Sequence, residues 1–382
     1  MTTHATVYWS LCLVAAAALV ACHERAASAA SRMGGRQQAG AAPRRDNGPL
    51  DERVAAIVKS HILTAGVPSV SVAVMRDGKM LLERAWGVSD IATGAKADAS
   101  TTYQIASASK QFTAALVLKQ VDRGRISLTD SIGKHLAGLK PEFNAITIEQ
   151  LLNHTSGLPG DYRNRARNNE DLSVDELYVM AAATSLANQP GTRFEYSNTG
   201  YFLLAVLVEK LYGKPFAAAL QDEIAKPLGL TLARCGARKP GESVGYRLMP
   251  DGKVVPPPGL HHSQLLGAGG ICATAGDLVK WTHALHTGRV LAPATYAAMT
   301  TPRGVAAENN YGLGQYVRPA PWGGKVITHG GQSLTGHTSE LQWYVDGSIA
   351  YAMLYNAAPR TPGIADLIPR IVMGVRLPEK SK

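Results

Sequence analysis

Apolar residues recur at Val54, Ile57, Val58 and Ile62, the spacing of one helix face. Asp51 stands in the position of an N-cap, Gly66 ends the segment, and Pro68 blocks its continuation. Residues 69–75 and 79–85 then read as two strands, joined by the strong hairpin signal Asp77-Gly78. A helix followed by an antiparallel hairpin does not begin a βαβ unit. The middle of the chain has helical periodicity. An amphipathic run over 108–123 stops at Gly124. Thr147 and Gln150 form a capping box before a short helix that ends near 154–157. Residues 200–212 are apolar nearly all round, the pattern of a buried helix. Thr274 and Asp277 signal another capping box, before 278–286. Strand patterns return at 325–329, 340–345 and 349–355, with Asp346-Gly347 as a second hairpin turn. A helix over 366–375 closes the chain, bent or shortened by Pro369. Strands at both ends and helices between predict an α+β fold. One antiparallel sheet is built from both termini, flanked by the terminal helices, with a mostly helical domain inserted.

Composition narrows the class. With 46% hydrophobic and 18% charged residues, the chain can bury a core and is not a disordered one. The net charge of +10 is spread rather than blocked, and aromatics are only 6%. Both features argue against nucleic-acid binding. Residues 7–21 carry no charge, a length suited to a signal-peptide core and short for a spanning helix. Leu19-Val20-Ala21-Cys22 follows, similar to the lipobox of bacterial lipoproteins, and makes Cys22 the candidate lipidation site. Ala27-Ser28-Ala29 is a rival cleavage site, and residues 1–6 hold no Lys or Arg. The expected organisation is a leader over 1–22, a flexible linker over 23–49 and a folded domain over 50–378. The chain is expected to be exported, either periplasmic or attached to a membrane through Cys22.

Ser107-Ala108-Ser109-Lys110 places a hydroxyl and an amine three residues apart at a helix start. Serine becomes a nucleophile only when a base takes its proton, and a partly neutral lysine can do so. Tyr196-Ser197-Asn198 precedes the buried helix, and His329-Gly330-Gly331-Gln332 ends a late strand. These three motifs, roughly 90 and then 130 residues apart, resemble those of the serine β-lactamase and penicillin-binding protein superfamily. Tyr-x-Asn in the second motif is similar to the class C β-lactamase branch, which includes D,D-peptidases and family VIII esterases. Gln104-Ile105-Ala106, the stretch 151–158 and Gly269-Gly270 carry the same resemblance over residues 50 to 375.

The resemblance implies a β-lactamase/transpeptidase-like fold and a serine hydrolase that works through an acyl-enzyme on an amide or ester. Ser107 would be the nucleophile, and Lys110 with Tyr196 would move its proton. Asn198 would orient Lys110, and the backbone N–H groups of Ser107 and Gln332 would form the oxyanion hole. The third motif departs from the Lys-Thr-Gly of class C enzymes. A histidine near its ordinary pKa of about 6.5 is mostly neutral at pH 7, so His329 weakens the expectation of carboxylate recognition. D,D-peptidase or esterase activity is expected first. The alternatives are a β-lactamase and a catalytically weak binder of wall peptides. A small-molecule or peptide substrate is implied, with no cofactor.

Gly331-Gln332-Ser333-Leu334-Thr335 nearly forms a G-x-S-x-G elbow, but Thr replaces the last Gly and the motif order is reversed. His261-His262 are adjacent, a poor arrangement for one metal, so no metal site is assigned. Tyr162 and Arg163 follow a Gly-Leu-Pro-Gly loop, where exposure is expected and a place in the cleft wall is the alternative. Without the leader, Cys235 and Cys272 are the remaining cysteines. Export favours a disulfide between them, and two buried thiols are the alternative.

Overall fold

The computed structural model describes residues 49–163, 167–236, 239–358 and 366–375. The leader, Cys22, the rival cleavage site and nearly all of the linker lie outside the described residues. Helix α1 (Leu50–Val58) runs into a wider turn, Lys59–Leu63, and buries Val54, Ile57, Val58 and Ile62 as the periodicity requires. Its N-cap is Pro49 rather than Asp51. Asp51 lies inside the first turn, where a carboxylate suits the helix dipole, and it accepts a 3.0 Å hydrogen bond from Arg84.

The sheet draws on both ends of the chain. Its strands are β1 (Ser69–Arg76), β2 (Lys79–Asp90), β3 (Ala95–Lys96), β4 (Tyr316–Pro319), β5 (Lys325–Gln332), β6 (Thr338–Tyr344) and β7 (Ile349–Tyr355). Their order is β3-β2-β1-β7-β6-β5-β4, and every neighbouring pair is antiparallel. The first and last long strands meet in the centre, with Val70 opposite Tyr355 and Arg76 opposite Ile349. The β1–β2 turn has φ of 50° at Asp77 and 76° at Gly78, the left-handed pair that a two-residue hairpin needs. The β6–β7 turn is longer than a two-residue hairpin: Val345–Gly347 form a helical turn and Ser348 takes φ 46°.

Both faces of the sheet are covered, which is why β1 and β7 are buried almost continuously rather than alternately. Val70, Val72, Val74, Tyr351 and Met353 face a core shared with α1 and the closing helix, Leu367–Met373. Pro369 sits in the first turn of that helix, where its missing N–H has no partner to lose, so it does not break the helix. Ala73, Met75, Ala350, Ala352 and Leu354 face the larger core, which continues into the helical middle. The inserted helices therefore share one core with the sheet, and the described residues form one compact unit.

Three helices of that middle position the site: α2 (Ser109–Asp122), α3 (Ile148–Leu152) and α4 (Asn198–Tyr212). The Thr147 capping box opens α3. Helix α5 (Ala275–His286) is capped by Thr274, whose side chain accepts from the Asp277 N–H. Asp277 does not complete a capping box; its carboxylate accepts from the Thr231 N–H instead.

A small sheet of Tyr103–Gln104, Ile271–Ala273 and Ala233–Arg234 lies just before the Ser107 motif. Cys272 of this sheet is disulfide-bonded to Cys235, which directly follows the strand Ala233–Arg234, across a separation of 37 residues. Closing such a loop stabilises the fold by roughly 3–4 kcal/mol through chain entropy. Replacing both cysteines by serine is expected to lower Tm by several degrees in thermal unfolding. An unchanged Tm would show that the bond closes no entropy-rich loop.

Candidate active site

Ser107 sits in a tight turn, Ala106–Ala108, directly before α2. Ala106 takes φ 48°, a left-handed conformation that costs a residue with a Cβ about 1–2 kcal/mol. Neighbours hold the turn in place. The Ser339 hydroxyl of β6 donates to the Ile105 carbonyl at 2.6 Å, and the Ile105 N–H donates to Ile271 at 2.9 Å. Gly331 of β5 lies against the same turn. A Cβ on it would come within 2.4 Å of the Ile105 oxygen and 2.7 Å of the Ser107 nitrogen, so only glycine permits this approach. That contact explains the small residue in the third motif, and it brings β5 against Ser107.

Lys110 lies in the first turn of α2 and is fully buried. Its Nζ is 3.3 Å from Ser107 Oγ, 2.8 Å from Asn198 Oδ1 and 2.8 Å from the Ala268 carbonyl oxygen. The last two atoms can only accept. A neutral amine has two hydrogens and one lone pair, so it can donate to both oxygens and receive the Ser107 proton. Burial drives the Lys110 pKa well below its ordinary value; Arg163 pushes the same way, and Asp161 opposes them. The local environment thus favours the free base.

Tyr196 is the second motif's contribution. Its hydroxyl is buried without a hydrogen-bond partner among the described residues. Burial raises its pKa well above the usual phenol range, against a lowering interaction with Ser107. The Lys110 Nζ lies 4.8 Å from the centre of the Tyr196 ring, over its face. The group is therefore a neutral phenol and a proton donor, not a standing phenolate. Asn198 begins α4, with Ser197 as its N-cap.

His329 of β5 is buried, and its pKa is pushed down to about 3, chiefly by that burial. It belongs to a chain of hydrogen bonds that the sequence did not reveal. The Ser197 N–H donates to His154 Nδ1 at 3.0 Å, and His154 Nε2 meets the Tyr311 hydroxyl at 3.2 Å. That hydroxyl meets His329 Nε2 at 3.1 Å, and His329 Nδ1 lies 2.7 Å from the Gly330 oxygen. The backbone groups at the two ends fix the tautomers: His154 carries its proton on Nε2 and His329 on Nδ1. Each link then has one donor and one acceptor, and the second and third motifs are joined through uncharged rings. His154 at φ 62° and fully buried Tyr311 complete this support. Histidine in the 151–158 stretch was visible in the sequence; Tyr311 had no signal there.

Two recesses meet at Ser107. A cavity of 190 Å³ lies on the Asn198 side, with Tyr162, Arg163, Phe202, Leu260 and Gln264 in its wall. A groove of 700 Å³ lies on the Tyr196 side, with His329, Gly331, Tyr316 and Arg318. Gln332 borders both. Tyr162 and Arg163 thus belong to the cleft wall, correcting the expectation of exposure: the loop folds inward and the Tyr162 ring packs, tilted, against Phe202 with the ring centres 4.8 Å apart. His261 instead caps a turn, accepting from the Ser263 N–H at 3.3 Å.

The family model described as Beta-lactamase matches residues 50–372. The chain is 29% identical to Protein flp of Staphylococcus aureus (strain MW2) over 215 residues, which is 54% of this chain and 43% of that protein. It thus spans less than half the length of that curated relative. It is 27% identical to Putative penicillin-binding protein PbpX of Bacillus subtilis (strain 168), across 71% of this chain and 68% of that one. A D-stereospecific amidohydrolase from Streptomyces sp. superposes with a TM-score of 0.70 at 26% identity, covering 82% of this chain and 97% of the other.

Three histidines, His154, His329 and His337, are buried and held below their ordinary pKa, His329 to about 3 and His337 to about 4. Unfolded histidine binds a proton below about pH 6.5 and these do not, so the unfolded state gains protons first. Stability is therefore expected to be full above pH 6.5 and to fall as pH drops toward 4. Each withheld proton costs about 1.4 kcal/mol per pH unit. Urea unfolding at a series of pH values checks this. A flat profile between pH 6.5 and 4.5 would contradict the neutral rings.

Proposed function

The chain belongs to the beta-lactamase family, and from that premise we propose that it is a serine hydrolase of amides or esters. The observation that carries the proposal is the Lys110 amine, buried with two carbonyl oxygens as hydrogen-bond acceptors and Ser107 Oγ at 3.3 Å. In this reading Ser107 Oγ attacks the substrate carbonyl carbon, and its proton passes to Lys110. The N–H groups of Ser107 and Gln332 stabilise the developing oxyanion. As the tetrahedral intermediate collapses, the bond to the leaving group breaks. The leaving group takes a proton from Tyr196, which recovers one from Lys110. Water then attacks the ester on Ser107, with the same groups acting in reverse.

Within this class the reading is a class C-like hydrolase with peptidase or amidase character. Tyr-x-Asn in the second motif and the similarity to a penicillin-binding protein and a D-stereospecific amidohydrolase support it. The uncharged His329 argues against a dedicated β-lactamase, because the third motif itself supplies no cation; Arg318 stands farther along the same groove. Export with attachment through Cys22 is part of the proposal. The apolar run before Cys22 and the Cys235–Cys272 disulfide support it, since such bonds persist in oxidising compartments.

Mixing the chain with benzylpenicillin and following intact mass is expected to show one drug added per chain. Ser107→Ala should show none. Lys110→Arg, whose guanidinium stays charged, should slow the addition at least about a hundredfold. A persistent adduct fits a peptidase, and rapid release of hydrolysed drug would move the reading to a β-lactamase. If neither penicillin nor a fluorophosphonate labels Ser107, the hydrolase reading fails. For attachment, Cys22→Ser in a bacterial host is expected to move the protein from the membrane pellet to the soluble fraction. An unchanged distribution would remove the lipid anchor.

A further inference from the structure

The end of β5 has to be aimed with little to aim it. β5 pairs with β4 only over Lys325–Thr328, whereas its pairing with β6 runs on to Gln332. Among the described residues, 329–332 therefore have a paired strand on one side alone. Two of the four are glycines, whose backbone is the freest of any residue. Yet this stretch carries the Gln332 N–H that the proposed reaction uses, and such a donor works only when it points at the place the oxyanion will occupy. Gly331 rests against the Ser107 turn, which fixes where the strand lies. The His329 ring holds the direction of the next peptide: its Nδ1 lies 2.7 Å from the Gly330 oxygen. The Gly330 carbonyl and the Gly331 N–H share one rigid plane, so holding the oxygen orients both, and the Gln332 N–H follows one residue later.

That hold depends on which ring nitrogen carries the proton. A protonated Nδ1 donates to the carbonyl, whereas a bare one would set its lone pair against those of the oxygen and push it away. The far end of the hydrogen-bond chain settles the choice. The Ser197 N–H donates to His154 Nδ1, so His154 carries its proton on Nε2 and donates it to the Tyr311 oxygen. The Tyr311 hydrogen is left for His329 Nε2, 3.1 Å away, which can accept only when the ring's proton is on Nδ1. The hydroxyl is itself held still: the Tyr311 N–H donates to the Ala306 carbonyl at 3.1 Å, and the Tyr316 ring packs edge-on with the centres 4.6 Å apart. We propose that Tyr311 is a positioning residue for the hydrolysis: its hydroxyl keeps the His329 proton on Nδ1, and His329 thereby orients the Gly330–Gly331 peptide and the Gln332 N–H beyond it. The inference rests on the hydrolase reading and adds to it a fully buried residue that touches neither Ser107 nor substrate. It also gives the third motif's histidine a purpose other than charge. An ammonium has donors only and could not accept from Tyr311.

The test reads the tautomer and the rate separately. With isotope-labelled histidine in the chain, long-range proton–nitrogen NMR spectra tell a protonated ring nitrogen from a bare one, and the signals lost in His329→Asn assign His329. The wild type is expected to carry the His329 proton on Nδ1. A proton on Nε2 overturns the proposal, and this measurement decides even where a variant does not fold. The rate is that of Ser107 labelling by a fluorophosphonate, whose phosphoryl oxygen takes the oxyanion's place. In Tyr311→Phe the maximal rate is expected to fall about tenfold or more, short of the roughly 100–1,000-fold for removing an oxyanion donor outright. The half-saturating concentration is expected to stay within about twofold, because binding does not use the hydroxyl. An unchanged maximal rate, or a loss confined to half-saturation, overturns the proposal. Asparagine at 329 puts an amide nitrogen in the place of Nδ1 and needs no partner to fix its protons. In that background Tyr311→Phe is expected to cost about threefold or less. An equal cost in both backgrounds shows that the hydroxyl does not act through His329, and overturns the proposal. A labelled wild type that Tyr311→Phe matches sinks this inference alone, and an unlabelled wild type sinks the hydrolase reading and this inference with it.

Discussion

Everything at the centre depends on an amine kept out of water. Lys110 is fully buried, yet its contacts are two carbonyl oxygens and one hydroxyl, with no carboxylate among them. A buried ammonium without an anion is expensive, so the free base is the cheaper state. The surrounding chain is arranged to supply those oxygens. Asn198 comes from the first residue of α4, and Ala268 comes from the segment leading into the strand Ile271–Ala273. That strand pairs with Tyr103–Gln104 and carries the disulfide at Cys272. The stapled small sheet and the buried helix therefore bear on the same amine from different sides. Stability and reactivity are linked there, because loosening either support admits water and lets Lys110 regain its proton.

Much of this was legible in the sequence, because the strongest patterns had local causes. The hairpin at Asp77-Gly78 needs left-handed backbone, and the residues that allow it are written at that point. The Thr147 capping box and the apolar girth of α4 are equally local. The sheet built from both termini followed from where strand patterns occurred. Elsewhere, distant partners decided the outcome. Asp51 and Asp277 look like capping residues, but Arg84 and the Thr231 N–H claim their carboxylates. The β6–β7 turn has the residues of a tight hairpin and takes a longer path.

The site divided in the same way. Ser107 and Lys110 stood out by residue type and spacing, Tyr196 and Asn198 through the resemblance of their motif, and the fold brings Ser107 and Asn198 each within hydrogen-bonding distance of Lys110. Tyr162 and Arg163 were misjudged, because loop position suggests solvent and nothing local shows that the loop turns inward onto Phe202. Tyr311 could not have been found at all. Its role exists only because the turn after α3 and the strand β5 each bring a histidine to its hydroxyl. A residue whose function is to join two distant motifs leaves no mark in the neighbourhood of either.

The three cationic residue types around Ser107 share one electrostatic outcome by different means. Lys110 is neutralised by burial, His329 by burial and a fixed tautomer, and Arg163 by its pairing with Asp161. In the proposed reaction these three groups bring no net positive charge to the reacting carbonyl, so apart from Arg318, exposed along the groove, stabilising the oxyanion falls to backbone N–H dipoles. Dipoles fixed in place have a geometric advantage over a mobile charge: they favour the position of the tetrahedral oxygen over that of the ground-state carbonyl. The cost is precision. The N–H of Ser107 is aimed by a left-handed Ala106 and by β5 approaching through Gly331, so small displacements there forfeit the stabilisation. This accounts for why the strain at Ala106 persists. It is held by the Ser339 and Ile271 hydrogen bonds at the one turn where backbone direction, rather than side-chain charge, has to do the chemistry.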